Sequence, residues 1–207
     1  VLDIGANPDC KPEHLLQFAL MGNIYAERIH GIKQPRVGLL SNGEEAGKGN
    51  ELVRAAYPLL AASGLNFTGN VEGRDVYTGH VDVTVCDGFS GNIFLKTSEG
   101  VARLIVDVMR EKITSGSLPV KLGGLLVRPA LQELRKLLNP SEYGAVPLLG
   151  VNGLVFIGHG RSDALAIKNA VRVAKQAVEA DLLNSIRDEI ARRLAATAQR
   201  AAAAAGD

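Results

Sequence analysis

In the stretch Val81–Gly100, VDVTVCDGFSGNIFLKTSEG, a short apolar run meets a glycine-rich corner and then a helical pattern. Val81 to Val85 is rich in β-branched residues and reads as a buried strand. The chain then turns through Cys86, Asp87, Gly88, Phe89, Ser90 and Gly91, and helical spacing continues from about Asn92. Gly88 and Gly91 let the backbone turn sharply and admit a close approach by a ligand. Ser90 or Asn92 can cap the helix, whose first amides face the space above the strand. Those amides and the helix dipole favour an anion. An ordinary strand-loop-helix corner has the same look. What distinguishes this chain is that the corner recurs.

Val1 to Ile4 is a short apolar strand ended by Gly5-Ala6-Asn7-Pro8-Asp9. A helix follows, with Pro12 in its first turn and Leu15, Leu16, Ala19, Leu20 and Ile24 at helical spacing. Val37 to Leu40 is the next strand, followed by the loop SNGEEAGKGNE and a helix carrying Leu52, Ala55, Ala56, Leu59 and Leu60. Asn66 to Val71 is a weaker strand that leads through Glu72-Gly73-Arg74-Asp75 to the central one. Further on, Gly153 to Ile157 reads as a strand, ended by Gly158-His159-Gly160 and followed by a long helix from about Asp163. Strands alternating with helices imply a mostly parallel sheet with helices on both faces. Ligands of such sheets sit beyond the carboxyl ends of the strands. The corner loops 5–11, 41–50, 86–92 and 158–163 are expected to gather there. They hold Asn7, Lys11, Asn42, Glu44, Lys48, Asn50, Asp87, Ser90, Asn92, His159, Ser162 and Asp163.

Composition narrows the function classes. A chain of 207 residues with 46% hydrophobic and 22% charged residues has the balance of a globular domain with a sizeable core. A net charge of +1 supplies no field for nucleic acid, and aromatic residues at 4% offer no stacking surface for bases. Cys10 and Cys86 have no CxxC neighbour, so neither a disulfide framework nor a zinc site is expected, and a reducing cytoplasm is the natural setting. Val1 is not a methionine and VLDIG begins directly on a strand, which suggests the later part of a longer protein.

Residues 101–140 break the alternation. Leu104, Ile105, Val108 and Met109 give one amphipathic helix; Leu131, Leu134, Leu137 and Leu138 give another that starts near Pro129, with SLPVKLGGLLV as an apolar connection. Seven basic residues stand against three acidic ones in this segment. It is either a helical hairpin packed on its own domain or a protruding one that makes a dimer, its basic, apolar tip resting on a membrane. The alanine-rich tail from about Ala195 reads as the fraying end of the last helix.

Individual motifs leave alternatives. GEEAGKGNE is one residue short of a Walker A loop, and Lys48 is followed by Gly49 rather than Ser or Thr. Lys48 is a charge aimed at phosphate or a solvated loop lysine. Gly158-His159-Gly160 lacks the third glycine of a dinucleotide fingerprint, with Asp163 in its place. His159 donates to an oxyanion, shuttles a proton, or bonds nearby backbone. Cys86 is an acyl-accepting nucleophile or a buried small residue ending a strand.

Together, VLDIGANPDCKPEHLLQFALMG, RVGLLSNGEEAGKGNEL, NVEGRD, VDVTVCDGFSGNIFLKTSEG and YGAVPLLGVNGLVFIGHGRSDALAIKNAV resemble the phosphate acyltransferases of bacterial phospholipid synthesis, the PlsX family. The resemblance runs in order from Val1 to about Ile190. It implies that acyl carrier protein (ACP) carrying an acyl group reacts with inorganic phosphate, giving acyl phosphate and free ACP. The acyl phosphate then feeds the membrane glycerol-phosphate acyltransferase. The implied fold is a Rossmann-like α/β/α sandwich, related to phosphotransacetylases and isocitrate-dehydrogenase-like enzymes, with a protruding helical hairpin. Also implied are homodimers through 101–140 that associate peripherally with the inner face of the cell membrane. No cofactor, metal or nucleic acid is expected. The family's N-terminal part, with its D-A-M-G-G-D-like strand end and G-N-T-G-like loop, has no counterpart here. Residues 1–207 are therefore expected to be the C-terminal part of one α/β/α domain.

Phosphate is already anionic at neutral pH, and a pantetheine thiol with a pKa near 8.5 leaves without much acid help. The site must supply position and donors for a tetrahedral oxyanion. Lys48 and Asn92 match polar positions of the family's cleft. Lys48 is expected to carry phosphate or oxyanion charge, and Asn92 to orient. Ser90, Gly91 and the Asn92 amide would form an anion nest, with His159 as a secondary catalytic candidate. Asn7, Lys11, Asn42, Gly49, Asp87, Gly88 and Ser162 complete the expected binding shell. Two alternatives stay open: a CoA-dependent phosphotransacetylase or dinucleotide enzyme on the same scaffold, and a non-catalytic fragment that dimerises and docks on membranes.

Overall fold

The computed structural model describes residues 1–192, which form two compact units. The first comprises Val1–Ile93, Leu149–Leu154 and the residues from Gln176 on; the second comprises Phe94–Leu148 and Val155–Lys175.

In the first unit, α1 (Pro12–His30) starts on a proline whose missing N–H costs nothing there, and stops at Gly31, which turns left-handed at φ +68°. Strand β1 (Val37–Leu40) leads to α2 (Glu51–Ala61), whose start is capped by the Asn50 side chain accepting the Val53 N–H at 2.9 Å. Then come β2 (Phe67–Val71), the single turn α3 (Asp75–Thr78) and β3 (Val83–Val85). The three strands form a parallel sheet in the order β2-β1-β3, a Rossmann-like α/β arrangement. Leu15 of α1, Leu60 of α2 and Val37, Leu39 and Val85 of the sheet are fully buried together with Leu182. A Cβ on Gly22 would come within 2.7 Å of Val83 Cγ1, so the glycine lets α1 lie close against β3.

The expected strand at Val1–Ile4 shrinks to a single parallel bridge, Leu2 to Val85, on the side of β3 away from β1. Polar Asp3 turns the chain there by drawing the next amides onto its carboxylate. Four parallel segments thus end at one edge. Their corners lie in the order 72–75, 41–50, 86–92 and 5–11, with neighbouring strands about 5 Å apart.

In the second unit, α4 (Gly88–Ser115, which begins in the first unit) and α5 (Leu118–Leu137) are joined by a two-residue turn. The expected apolar connection is itself helical. The helix runs through Gly123, Gly124 and Pro129 instead of starting near Pro129. Gly124 explains part of this, because a Cβ there would collide with Ile113 of α4, so the bare backbone is what allows the two helices to touch. None of the residues of α5 is buried. A short α6 (Pro140–Tyr143) precedes β4 (Ala145–Pro147), which pairs antiparallel with β5 (Phe156–Gly158). The strand expected at Gly153–Ile157 is therefore shifted to β5, and it pairs with β4 outside the parallel sheet. Its burial explains the misreading, since Ile157 is 52% exposed and no second buried face exists. Asp163 caps α7 (Ala164–Glu179) by accepting the Ala166 N–H at 2.8 Å. The tail expected to fray, 195–207, lies outside the described residues.

Candidate functional site

The edge is built first by Asp3. Its carboxylate is buried and accepts four hydrogen bonds: Gly5 N–H at 2.8 Å, Ala6 N–H at 2.9 Å, Asn7 N–H at 2.7 Å and Asn7 Nδ2 at 3.0 Å. Burial alone would raise its pKa; the amides of Ala6, Gly5 and Asn7 outweigh it and hold the carboxyl below its ordinary value. The loop so formed is pressed onto the start of α4. Gly88 donates its N–H to the Asn7 carbonyl at 2.8 Å. A Cβ on Gly88 would sit 2.7 Å from that carbonyl oxygen, and one on Gly91 would overlap the Asp3 carbonyl oxygen. These glycines admit the chain's own backbone, where the sequence suggested a ligand.

Helix α4 begins at Gly88, four residues before the expected Asn92, and its cap is Asp87 rather than Ser90 or Asn92. The buried Asp87 accepts the Ser90 N–H at 2.8 Å on Oδ1 and the Ser90 hydroxyl at 2.8 Å on Oδ2, and its carbonyl takes the Gly91 N–H at 3.0 Å. The Ser90 amide is thus spent on the Asp87 carboxylate and the Gly91 amide on the Asp87 main-chain carbonyl, so neither of these two donors of the expected anion nest is open to a ligand. Asn92 is exposed on the next turn, and its carboxamide lies over Gly5, with Cγ 3.6 Å from where a Cβ would be. Beneath it, the Cys86 thiol is 2% exposed and donates to the Asp3 carbonyl at 3.3 Å. Burial, with the nearby charges of Asp87 and Asp3, pushes it up to about 12. Burial and the bond to Asp3 favour the reading of Cys86 as a buried residue ending a strand over that of an exposed thiolate.

The 41–50 loop leaves β1, the neighbour of β3. Asn42 Oδ1 accepts the Gly49 N–H at 2.9 Å, and the Lys48 N–H closes a turn onto the Glu45 carbonyl at 2.9 Å. Gly43 gives room for the Lys48 stem, since its Cβ would lie 3.0 Å from Lys48 Cγ. Gly49 takes a positive φ of +99°, which a residue with a side chain rarely adopts. The Lys48 ammonium is exposed. From β2, Asn70 reaches across to donate to the Glu45 carbonyl at 2.8 Å, and Arg74 pairs with Glu44 and Glu72, each at 3.0 Å. Lys11 is exposed at the N-cap of α1, where the 5–11 loop ends.

The structure therefore brings Asn7, Asp87, Gly88, Ser90, Gly91 and Asn92 into one contact cluster, with Asn42, Lys48 and Gly49 on the adjacent corner. His159 and Ser162 belong to the second unit. There the exposed His159 accepts the Arg161 N–H on Nδ1 at 3.1 Å, so a neutral ring carries its proton on Nε2, and Ser162 gives its hydroxyl to the His159 carbonyl at 2.6 Å. Asp3 and Asn70 were missed from sequence. The signals were there: an acid inside the first apolar run, and an asparagine inside a strand, where that residue is uncommon. Among the described residues no cluster of three or more His, Cys, Asp or Glu side chains can hold a metal ion.

A family model described as fatty acid synthesis protein matches residues 1–185. Proteins named phosphate acyltransferase are similar over most of the chain. That of Pelotomaculum thermopropionicum is 55% identical over 92% of this chain and 55% of its own length. The one from Desulfitobacterium hafniense is 54% identical over 95% and 59%, and the one from Thermus thermophilus 56% over 92% and 58%. The chain spans a little over half the length of these curated relatives.

Proposed function

The chain belongs to the fatty acid synthesis protein family, and on that premise we propose that it carries the reacting edge of a phosphate acyltransferase, which moves an acyl group from ACP to inorganic phosphate. The observation that carries this reading is an exposed Lys48 on a braced turn, one strand over from the Asn7–Asn92 cluster. Phosphate oxygen attacks the thioester carbonyl carbon, a C–O bond forms, and the C–S bond breaks with its electrons on sulfur. The thiolate of ACP takes a proton from water. Lys48 neutralises the incoming phosphate and the carbonyl oxygen as it gains charge, and Asn92 orients the carbonyl through its amide. No protein nucleophile is needed, in keeping with the protonated Cys86. With Asp87 holding the start of α4, the attraction for phosphate rests on Lys48, seconded by Lys11, while Asn7, Asn42 and Gly49 shape the loops around it. His159 and Ser162 stand as secondary candidates on the second unit.

The test is phosphate-dependent release of ACP by the full-length protein, with acyl-CoA and NAD offered in parallel against the rival chemistries. Lys48→Ala is expected to lose about a hundred- to a thousandfold in kcat/KM, the usual cost of one preorganised donor. Near-normal turnover in that variant removes Lys48 from the scheme.

The hairpin of α4 and α5 is the proposed surface for a second copy and, at its tip, for the cytoplasmic membrane face. Leu118, Leu122, Leu125 and Leu126 are 54–83% exposed beside Lys121 and Arg128, a pairing of apolar and basic groups suited to an anionic lipid surface. Among the described residues no helix is long and apolar enough to cross a membrane. Sedimentation with anionic liposomes should fall in Leu126→Glu; unchanged sedimentation removes the tip from lipid contact.

A further inference from the structure

Asn70 lies inside β2 and is 5% exposed. Asparagine is depleted in strands, and a buried carboxamide lowers stability unless it is well hydrogen-bonded. Leucine has the same number of side-chain heavy atoms and leaves no polar group to satisfy, at the cost of bulkier methyl groups. Among the described residues Asn70 Oδ1 has no protein partner. Its Nδ2 donates to the Glu45 carbonyl at 2.8 Å, across 25 residues of sequence. That carbonyl is also the acceptor of the Lys48 N–H, at 2.9 Å. A carbonyl oxygen has two lone pairs and accepts both. One buried side chain therefore grips the atom that closes the turn on which Lys48 stands. Asn42 ties the loop to itself at Gly49, and the ion pair that reaches it from Arg74 to Glu44 is 69% and 65% exposed and correspondingly weak.

We infer that Asn70 is a positioning residue for Lys48, kept in the strand to fix the height and direction of that lysine over the sheet edge. The inference rests on the role proposed for Lys48. Removing the Asn70 donor leaves the Glu45 carbonyl still bonded to Lys48, so no buried group of the loop loses its last partner. Asn70→Leu, which trades an unpaired buried amide oxygen for bulkier methyl groups, is thus expected to melt near the wild-type temperature while its activity falls. A loop displaced by about 1 Å costs up to a hundredfold. The expected loss in kcat/KM for phosphate is about ten- to a hundredfold.

The decisive measurement is a double-mutant cycle in the full-length protein, reading phosphate-dependent release of ACP and thermal melting together. If Asn70 acts through Lys48, Asn70→Leu placed on Lys48→Ala lowers activity by less than about threefold further. An Asn70→Leu loss that carries over in full onto Lys48→Ala overturns the inference. So does an Asn70→Leu enzyme with wild-type turnover while Lys48→Ala is crippled. Normal turnover in Lys48→Ala alone overturns the Lys48 reading instead, and the positioning role with it. Asn70→Ala, run through the same cycle, decides the matter if the leucine variant does not fold.

Discussion

Replacing Gly91 by alanine tests how tightly the first residues are locked onto α4. The new Cβ would overlap the Asp3 carbonyl oxygen and lie 2.8 Å from Cys86 Sγ. Neither neighbour can retreat freely. The Asp3 N–H bonds the Cys86 carbonyl at 3.0 Å, the Cys86 N–H bonds the Leu2 carbonyl at 2.9 Å, and the Leu2 N–H bonds the Thr84 carbonyl at 2.9 Å. Overpacking costs about 1–3 kcal/mol, and this site lies at the upper end because the obstacle is backbone. Stretching one of the three flanking backbone bonds adds about 1 kcal/mol. A loss of about 4 kcal/mol follows, or about 8–16 °C in melting temperature for a chain of this size. Gly100 in the same helix is the control: nothing lies within 4 Å of its would-be Cβ, and alanine there should gain about 0.5–1 kcal/mol. Urea unfolding followed by circular dichroism compares the two. Turnover should also fall in Gly91→Ala, because Asn92 moves off Gly5. Destabilisation of Gly91→Ala by less than about 1 kcal/mol would refute the packing argument.

Asp3→Asn places an amide donor where the carboxylate accepts four N–H groups, and should lose about 2 kcal/mol at pH 7. Because the folded carboxyl titrates below its ordinary value, its contribution is present above pH about 4 and fades as the pH falls through that lowered value. Wild-type stability should therefore decline in acid more steeply than that of Asp3→Asn; parallel pH profiles would show the carboxylate to be idle. Cys86→Ala should keep turnover within about threefold, and the native thiol should resist alkylation at pH 8, since burial holds it protonated. Rapid labelling of Cys86 in the folded protein, or a dead alanine variant, contradicts that assignment.

The parallel half of the fold was legible because short runs such as the apolar Val37–Leu40 and the valine-rich Val81–Val85, which Asp82 and Thr84 interrupt, are each followed by a glycine-rich corner and a helical pattern. Loop contents were legible but not their use: Asn50 and Asp163, named only as loop residues, turn out to cap α2 and α7. Glycine was the recurring ambiguity. Gly88, Gly91 and Gly124 each announce that something comes close, and the sequence does not say whether it is a ligand, a strand end or another helix. The start of α4 was misplaced for a related reason. Asp87 and Ser90 are both good caps, and only the position of the Asn7 carbonyl over Gly88 decides between them. Asn70 escaped notice because its partner lies 25 residues earlier, beyond the reach of any local pattern.

The bond from the Cys86 thiol to the Asp3 carbonyl joins positions 83 residues apart. Closing a chain segment of that length costs about 4 kcal/mol of entropy, which local contacts cannot supply. A link of that span forms only once β3 is in place, so no local contact can bind residues 1–7 to the start of α4. A change at either Cys86 or Asp3 is therefore felt at the other, far away along the chain but in contact across the sheet.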